Sequence, residues 1–495
     1  MKTISSLKPS LIVLALMLSG CATLAPDYER PALPVADHWR IDGAGAIPAT
    51  ADISGQTARI SDLAWEQFVA DEYLRQLIQT AIDNNRDLRI AALNIEKARA
   101  QYRIQRSELF PSIGISASET AQRTPGVLTQ TGTHITSHSY SVGIGVTSFE
   151  LDLFGKIRSL KENALQEYLS SEEARRSAEL SLIGEVIANY MNLTSDYQQL
   201  KLANDTLKSR EDAYQLQLQL KRLGQGSELT VRQAESEMEG ARAQTQVFRA
   251  AVGLDKNALE VLIGQPLATD IMPDKPLESL LALKQVPAGL PSDLLQDRPD
   301  ILAAEHHLIA VNANIGAARA AFFPSISLTA STGTASNSLS DLFSSGTRAW
   351  SFMPQINLPI FTWGRLTATL DAANAEQKVA VAQYEKAIQA AFREVADGLI
   401  QQDTVASQLN AVQKQTNAAQ ISYDLVQQRY KAGISSYLEV LDAQRTLFAA
   451  QQNLLNVRLA YQVNLVNLYK ALGGGSSGIL YTIDNRTSKE QTSNS

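Results

Sequence analysis

The feature of this sequence that most constrains its fold is an internal duplication. The segment LFPSI at residues 109–113 returns as FFPSI at residues 322–326, an offset of 213 positions. Farther along, FGKI at residues 154–157 matches WGRL at residues 363–366 at an offset of 209 positions. One duplication whose copies differ in length by four residues explains both offsets. Because sequence repeats mark structural repeats, both copies are expected to fold into the same order of elements.

Each copy is predicted to contain a helix, a Phe-Pro breaker, two strands joined by a polar loop, and two long helices. The strand patterns alternate apolar residues with Ser, Thr and Gly, most clearly over residues 139–151, 325–331 and 350–361. The polar segments 122–138 and 333–347 are predicted to contain exposed hairpin tips, and whether they bind anything is open. One face of the strands is predicted to meet lipid through Tyr140, Val142, Ile144, Val146, Ile326 and Leu328.

Long helices are predicted wherever proline is absent, because an interior proline costs a helix about 3 kcal/mol. Two long stretches lack proline, one between Pro125 and Pro266 and one after Pro359. Residues 156–221 contain no helix breaker, which predicts a helix of roughly 98 Å. Positions 384 to 430 carry a seam in which steps of three and four alternate, as in a coiled coil.

The N-terminus reads as an export signal. Residues 1–20 combine two lysines, an apolar run at 11–18 and small residues. The sequence Leu-Ser-Gly-Cys that ends at Cys21 resembles the bacterial lipobox, in which the cysteine is lipidated. Cys21 is the only cysteine of the chain, which excludes an intrachain disulfide. By resemblance to sorting rules, Ala22 favours the outer membrane, and the alternative is a signal peptide with an accidental cysteine.

The strand patterns have two interpretations. Strands of about nine to eleven residues can cross a bilayer, but only in a closed barrel, because lipid leaves no unpaired backbone group satisfied. Four strands per chain are too few, since barrels begin at about eight. Two copies would supply eight strands and three copies twelve with a wet lumen, and the pattern leaves that number open. The other interpretation is a small soluble sheet with one buried face.

The patterns divide the chain into six predicted segments. These are a lipoprotein signal peptide (1–20), a lipid-anchored and equatorial segment (21–80), a first repeat (81–264), an equatorial connector (265–296), a second repeat (297–473) and a flexible tail (474–495).

Several longer motifs carry a family resemblance. ELDLFGKIRSL, LPIFTWGRL, RPDILAAEHHLIAVNANIGAARAAFFPSISL and SYLEVLDAQRTLF resemble the outer membrane factor family, and more narrowly its lipidated, OprM-like branch, related to TolC. The resemblance implies an α+β, mainly α fold and a homotrimer. In that trimer a twelve-stranded transmembrane barrel caps a periplasmic α-barrel of long helical hairpins. It also implies a passive drug-efflux duct that works with a periplasmic adaptor and an inner-membrane resistance-nodulation-division pump.

The resemblance also implies functional positions. In the family a ring of leucines and aspartates closes the periplasmic end, and YLEVLDAQ places Leu438 and Asp442 at the matching spacing. The first copy departs from this pattern with Leu229 and Gln233, so one hairpin of the two supplies the acid. The turns RLGQGS and YKAGISS resemble adaptor-docking tips. The expected docking residues are Arg222, Gly224, Arg429, Gly433 and Ser436.

No catalytic or cofactor motif stands out, so we expect a protein that is not an enzyme and carries only a covalent lipid at Cys21. His306 and His307 are adjacent and diverge on a helix, and His134 and His138 lie in a polar loop, so no metal site is predicted. The net charge is −7, or −9 after the two lysines of the signal peptide are removed, and no basic patch suggests nucleic acid. A structural coiled-coil lipoprotein, or a duct for metal ions or secreted proteins, are the alternatives.

Overall fold

The computed structural model describes residues 23–36, 39, 51–53, 56–130, 132–267, 275–287, 291, 294–295 and 298–475. The predicted signal peptide, Cys21 and nearly all of the predicted tail lie outside the described residues. The described residues form two compact units. The sheet unit comprises the described parts of residues 1–32, 95–171 and 304–384, and the helical unit comprises the rest.

Helices dominate both copies of the duplication. Their bounds are α1 Trp65–Phe68, α2 Glu72–Asn84, α3 Arg86–Ser107, α4 Lys156–Arg222, α5 Glu228–Ile263, α6 Pro299–Ala320, α7 Arg365–Lys431 and α8 Tyr437–Ala471. The two longest, α4 and α7, have 67 residues each and occupy equivalent places in the two copies. The helix predicted over 156–221 is therefore confirmed, whereas α2 runs across the predicted segment boundary at residue 80. Among the described helices, none combines the length and the apolar character needed to cross a bilayer.

The predicted seam of α7 is buried. Tyr384, Ile388, Ala391 and Val395 are at most 1% exposed, and every later seam position up to 430 is buried or half-buried. Against this seam α8 supplies residues such as Leu454, which packs on Val412. A period of 3.5 keeps one stripe of the helix facing its partner, so the periodicity alone fixed which residues are covered.

The strands are β1 Ala51–Ile53, β2 Gln56–Ala58, β3 Ile113–Thr124, β4 Ile135–Leu151, β5 Ser325–Ser336 and β6 Arg348–Asn357. The last four form one antiparallel sheet in the order β3-β4-β5-β6. A bulge between Val146 and Phe149, with Ser148 at φ 55°, shifts the register near the base of β4. The sheet therefore has two open edges, β3 and β6.

The strand predicted over 350–361 was wrong in its extent, because β6 ends at Asn357. Pro359 follows two residues later and has no N–H to continue the ladder. Pro354 does lie within β6, opposite Leu328. This position is tolerated because β6 is an edge strand, whose outer N–H positions pair with nothing inside the sheet.

The register gives the sheet two chemically different faces. The six residues predicted to meet lipid all lie on one face, together with Ile115, Trp350, Phe352 and Ile356. We call this surface the apolar face. Ile115 is 80% exposed and Trp350 is 76% exposed, so no described residue layer covers it. An exposed apolar surface of this kind marks an interaction with lipid or with another protein surface, and it is not buried within the chain as the soluble-sheet interpretation expects.

Residues 24–30 form a strap along α6 within the sheet unit. The Arg30 guanidinium donates two hydrogen bonds to the buried Glu305 carboxylate, at 2.7 and 2.8 Å. Nearer the end of α6, Asn312 donates to the Pro26 carbonyl at 2.8 Å and Arg319 donates to the Leu24 carbonyl at 3.1 Å. The N-terminal end of the strap thus lies at the end of α6 that precedes β5.

Candidate functional site

The two long hairpins turn in the same way. At the end of α4, the Gln225 N–H bonds the Leu220 carbonyl and the Gly224 N–H bonds the Lys221 carbonyl. The Ile434 and Gly433 N–H groups make the equivalent pair of bonds at the end of α7. Both turns are Schellman motifs, with φ of 73° at Gly224 and 77° at Gly433. A side chain would strain this backbone, which explains the glycine in both copies.

Serine restarts the chain after each turn. Ser227 accepts a hydrogen bond from the Thr230 N–H at the start of α5. Ser436 begins α8 with a capping box, in which Glu439 accepts from the Ser436 N–H at 2.9 Å. That backbone hydrogen bond, followed by the Ser436 hydroxyl, lowers the pKa of Glu439. These caps fix both tips as short, ordered turns.

The predicted docking residues lie at the tips of the two hairpins. Arg222, Arg429 and Ser436 are exposed, and the Arg429 guanidinium donates to the Ser435 hydroxyl at 3.1 Å. The sequence reasoning missed two neighbouring side chains, Leu223 and Ile434, which are 72% and 68% exposed. Each is adjacent to the left-handed glycine of its turn. An apolar residue beside such a glycine is the signal that could have found them.

The predicted gate residues lie one turn into α8. Leu438 is 59% exposed and Asp442 is also exposed, and their spacing of four places them on the same side of the helix. The adjacent side of α8 is anchored, because Leu441 and Tyr437 pack on Ala234 of α5. Leu438 and Asp442 are left largely exposed. Their assembly into a ring stays a prediction.

A charged link joins the two hairpins close to the tips. The Glu237 carboxylate of α5 forms an ion pair with the buried Arg210 of α4 at 3.0 Å and accepts from Arg445 of α8. Burial lowers the pKa of Arg210 in spite of Glu237, whereas the hydrogen bond that Arg445 donates to Glu237 raises the pKa of the more exposed Arg445. One carboxylate thus balances two guanidinium groups from two other helices. We call Arg210, Glu237 and Arg445 the charged link.

A groove of about 460 Å³ lies beside this link, between the ends of α4 and α7 and the start of α8. Gln217 donates to the Tyr430 hydroxyl at 2.9 Å across it. Its walls mix aromatic and charged side chains, including Lys208, Asp212, Tyr423, Tyr430, Lys431 and Tyr437.

Two carboxyl groups meet farther up the first hairpin. Asp196 of α4 and Asp255 of α5 lie close enough for each carboxyl group to shift the pKa of the other. Burial, and then the charge of Asp196, raise the pKa of Asp255 to about 6. Burial also raises the pKa of Asp196. The protonation of this pair, and with it the stability of the first hairpin, therefore depends on pH.

The Asp196–Asp255 pair is expected to contribute a loss of stability to the helical unit as the pH rises from about 4 to about 7. Between 3.8 and about 6, folded Asp255 retains a proton that the unfolded chain has lost, and deprotonation then leaves two facing charges. Urea unfolding at both ends of this range measures the effect. Asp255→Asn should flatten the pH dependence, and Asp403→Asn, an exposed control on α7, should not. An unchanged pH dependence in Asp255→Asn would contradict this assignment.

The second face of the strand sheet carries no charged side chain between its loop end and the bulge of β4. We call it the hydroxyl face, and its members in the register include Ser116, Ser118, Thr120, Ser139, Ser141, Thr329, Ser331 and Ser351. Hydroxyls pair across strands at 2.8 Å, between Ser118 and Ser141 and between Ser331 and Ser351. Below the bulge, Glu150 is paired with Lys156. This surface is wettable but electrically neutral.

The histidines are bonded separately. His306 pairs with Gln166 at 2.7 Å, His307 with Glu167 at 2.8 Å, and His138 with Glu119 at 3.2 Å. Within the described ranges, no three His, Cys, Asp or Glu side chains are grouped so as to hold a metal ion.

A family model described as outer membrane efflux protein matches residues 77–265 and 290–474 of this chain. The chain belongs to the outer membrane efflux protein family. Its relatives in this family include the antibiotic efflux pump outer membrane protein ArpC of Pseudomonas putida, 49% identical over 94% of this chain and 95% of that protein. The toluene efflux pump outer membrane protein TtgC of Pseudomonas putida is 48% identical over the same shares.

Solved structures give the same family. The open state of the MtrE outer membrane channel of Neisseria gonorrhoeae is 41% identical and superposes with a TM-score of 0.83. The match covers 92% of this chain and 99% of that channel. As an outer membrane efflux protein, the chain is a component of the outer membrane that extends into the periplasm and acts as an efflux channel. The family resemblance and the location predicted from the sequence are confirmed.

Proposed function

We propose that this outer membrane efflux protein works as a homotrimeric, passive duct. Three copies would close their four-stranded sheets into one twelve-stranded barrel, and their long hairpins would form a periplasmic α-barrel. The two open edges of the sheet are the observation that carries this proposal. In lipid an unpaired edge is too costly to persist, and an even number of antiparallel strands lets β6 of one copy pair with β3 of the next.

The chemical difference between the two faces of the sheet indicates which face would point outward in the closed barrel. With the apolar face outward, lipid covers Ile115, Val142 and Trp350, and the hydroxyl face lines the lumen. A barrel of twelve strands leaves an aqueous interior. Such a lumen attracts neither cations nor anions strongly, so it suits cargo of either charge or none.

We infer the class of cargo from the neutral lining of the proposed lumen and from the pumps for which the relatives are named. Antibiotic and toluene pumps are named for the two relatives described above, and we propose drugs and similar small toxic compounds as the cargo here. A neutral duct does not select among them, so selection would fall to an inner-membrane pump of the resistance-nodulation-division class. A periplasmic adaptor would dock at the tips, where Arg222, Gly224, Arg429, Gly433 and Ser436 lie beside the exposed Leu223 and Ile434. No catalytic step is proposed.

The anchor at Cys21 fits the strap. The Leu24 carbonyl accepts a hydrogen bond from Arg319, which lies six residues before β5 begins. Cys21 lies three residues before Leu24 in the sequence. Three residues span at most about 11 Å. A lipid on Cys21 would therefore enter the membrane close to the base of the strand sheet.

The proposed duct is tested by conductance. The purified full chain, added to a planar phospholipid bilayer, should form pores whose open conductance does not depend on ATP or on any other protein. A structural coiled-coil lipoprotein would form none, so the absence of pores would overturn the proposal. Copurification with a pump from the native membrane would separate a drug duct from a duct for secreted proteins.

A ring of Asp442 from three copies is expected to favour cations and to narrow the periplasmic end together with Leu438. Asp442→Ala should increase the leak of the closed pore and lower its preference for cations by about tenfold, at the weak end of electrostatic focusing. Reversal potentials in a salt gradient measure this preference. Asp424→Ala on α7 is the control, because Asp424 is exposed and bonds only Gln420 among the described contacts. Unchanged leak and selectivity in Asp442→Ala would reject Asp442 as a gate.

A further inference from the structure

The charged side chains of the apolar face are confined to its loop end. Arg123 is the second-last residue of β3, and Arg348 is the first residue of β6. The register places both on the apolar face, together with Glu119 and His138. On β4 the same face contains no charge from Val142 to Leu151. The charged residues thus follow the loop edge of the sheet, which is stepped, because pairing stops at Thr124–Ile135, Tyr140–Ser336 and Thr334–Arg348.

Two aromatic residues of the apolar face lie just inside this stepped edge. Tyr140 lies two residues inward from His138 on β4, and Trp350 lies two residues inward from Arg348 on β6. Trp and Tyr gather where the hydrocarbon core meets the headgroups, because their rings are apolar and their tips are polar. The two arginines thus stand at the height of the lipid headgroups, on the side of the membrane where the hairpin loops lie.

Neither arginine is neutralised by a neighbour. Both are exposed, and neither forms an ion pair or a side-chain hydrogen bond with any residue that the structure describes. The other two charged residues differ, because Glu119 and His138 bond each other at 3.2 Å. A guanidinium at the edge of a membrane requires an anion, and its planar fork matches phosphate in particular.

Closure of the ring would bring the two arginines together. β6 and β3 are opposite edges of one sheet, so Arg348 of one copy and Arg123 of the next copy stand at the loop ends of adjacent strands. Neighbouring strands are about 4.8 Å apart, so the long side chains of two arginines at the loop ends of adjacent strands can reach one anion. The site is therefore incomplete without the second copy.

We propose that Arg123 and Arg348 together bind the phosphate groups of phosphorylated lipid in the outer leaflet of the outer membrane. The acyl chains of such a lipid would lie along the apolar face below, against residues such as Trp350 and Val142. This inference rests on the proposed function, because it requires the apolar face to meet lipid. Each trimer would hold three such lipids around its rim.

Native mass spectrometry of the detergent-solubilised full chain tests the site with bisphosphorylated lipid A as the probe. Either Arg123→Gln or Arg348→Gln should weaken binding about fivefold, and the double variant about thirtyfold. Arg249→Gln is the matched control, since Arg249 is an exposed arginine of α5, outside the sheet. It should bind lipid A as the wild type does.

Two further probes identify the chemistry. Lipid A from which both phosphates have been removed should bind the wild type as weakly as the phosphorylated lipid binds the double variant. Inorganic phosphate should not displace the lipid, because it lacks the chains that cover the apolar face. Equal binding of the dephosphorylated lipid, or undiminished binding by the double variant, would overturn the phosphate site. Displacement by inorganic phosphate would overturn the lipid as its occupant and show a site for free phosphate.

Conductance and lipid binding together distinguish failure of the phosphate site from failure of the proposed duct. Wild-type conductance in a membrane of phospholipid alone requires no lipid A. If the wild type conducts there while the double variant keeps its lipid, only the phosphate site is wrong. If the wild type forms no pore at all, the duct itself is wrong.

Discussion

Replacing Val142 by arginine should prevent the strand sheet from entering a membrane. Val142 lies near the middle of β4, on the apolar face, two residues inside Tyr140, and its nearest charged neighbour in the register is Glu119, diagonally opposite it. A lipid-facing charge costs a transmembrane barrel about 2–4 kcal/mol at the bilayer midplane and about 0–1 kcal/mol at its edges. Val142 lies between these levels, and a trimer would carry its cost three times. The measurement is folding of urea-denatured protein into lipid vesicles, followed by gel mobility of the unheated sample. The expected result is loss of the membrane-inserted oligomer.

The control for this prediction is the next residue in the chain. Ser141 belongs to the hydroxyl face, so Ser141→Arg places the same charge in the same strand but toward the lumen. That variant should insert, and its pores should shift toward anion selectivity. Equal insertion of the two variants would show that the two faces of the sheet have been assigned wrongly.

Replacing Glu237 by glutamine should release the two hairpins from each other near their tips. Glutamine keeps the size of the side chain but removes the charge that balances Arg210, which is only 8% exposed. Removing one partner of a buried ion pair costs about 3–5 kcal/mol, because the other charge is left without compensation. We expect faster hydrogen exchange in the first turns of α8 and a larger leak through the closed pore.

Glu239→Gln is the matched control, two residues farther along α5. Its carboxylate pairs with Arg242, and both side chains are about half exposed, so the loss should be below about 1 kcal/mol. Hydrogen exchange and conductance should therefore stay close to the wild type. If Glu237→Gln behaves like Glu239→Gln, the charged link does not hold the closed end.

Much of the helical framework could be predicted from the sequence because its causes are local. The absence of proline and the 3.5-residue period identified α4 and the buried stripe of α7, down to positions such as Tyr384 and Val412. Alternation identified the two faces of the strands for the same reason, since strand side chains alternate whatever surrounds them. The turns could also be predicted, because few residues other than glycine adopt the left-handed conformation that these turns require.

The end of β6 shows where local reasoning reaches its limit. The apolar alternation continues past Asn357 through Leu358 and Ile360, but the backbone cannot continue its ladder through Pro359. Backbone pairing decides where a strand ends, and here the proline in the sequence carried that information while the alternation of side chains did not. The bulge near Ser148 escaped prediction for the same reason.

By itself, the sequence determined the duplicated order of elements, the unbroken helices, the alternating strands and the family motifs. Only the tertiary structure decided which distant groups meet. Arg30 reaches Glu305 across 275 positions, and Arg445 reaches Glu237 across 208. The tertiary structure also set the strand order, which leaves the outer edges of β3 and β6 unpaired and brings Arg123 and Arg348 to the loop end of one face. Periodicity reports the surroundings of a residue along its own element, whereas contacts between elements depend on how the whole chain packs.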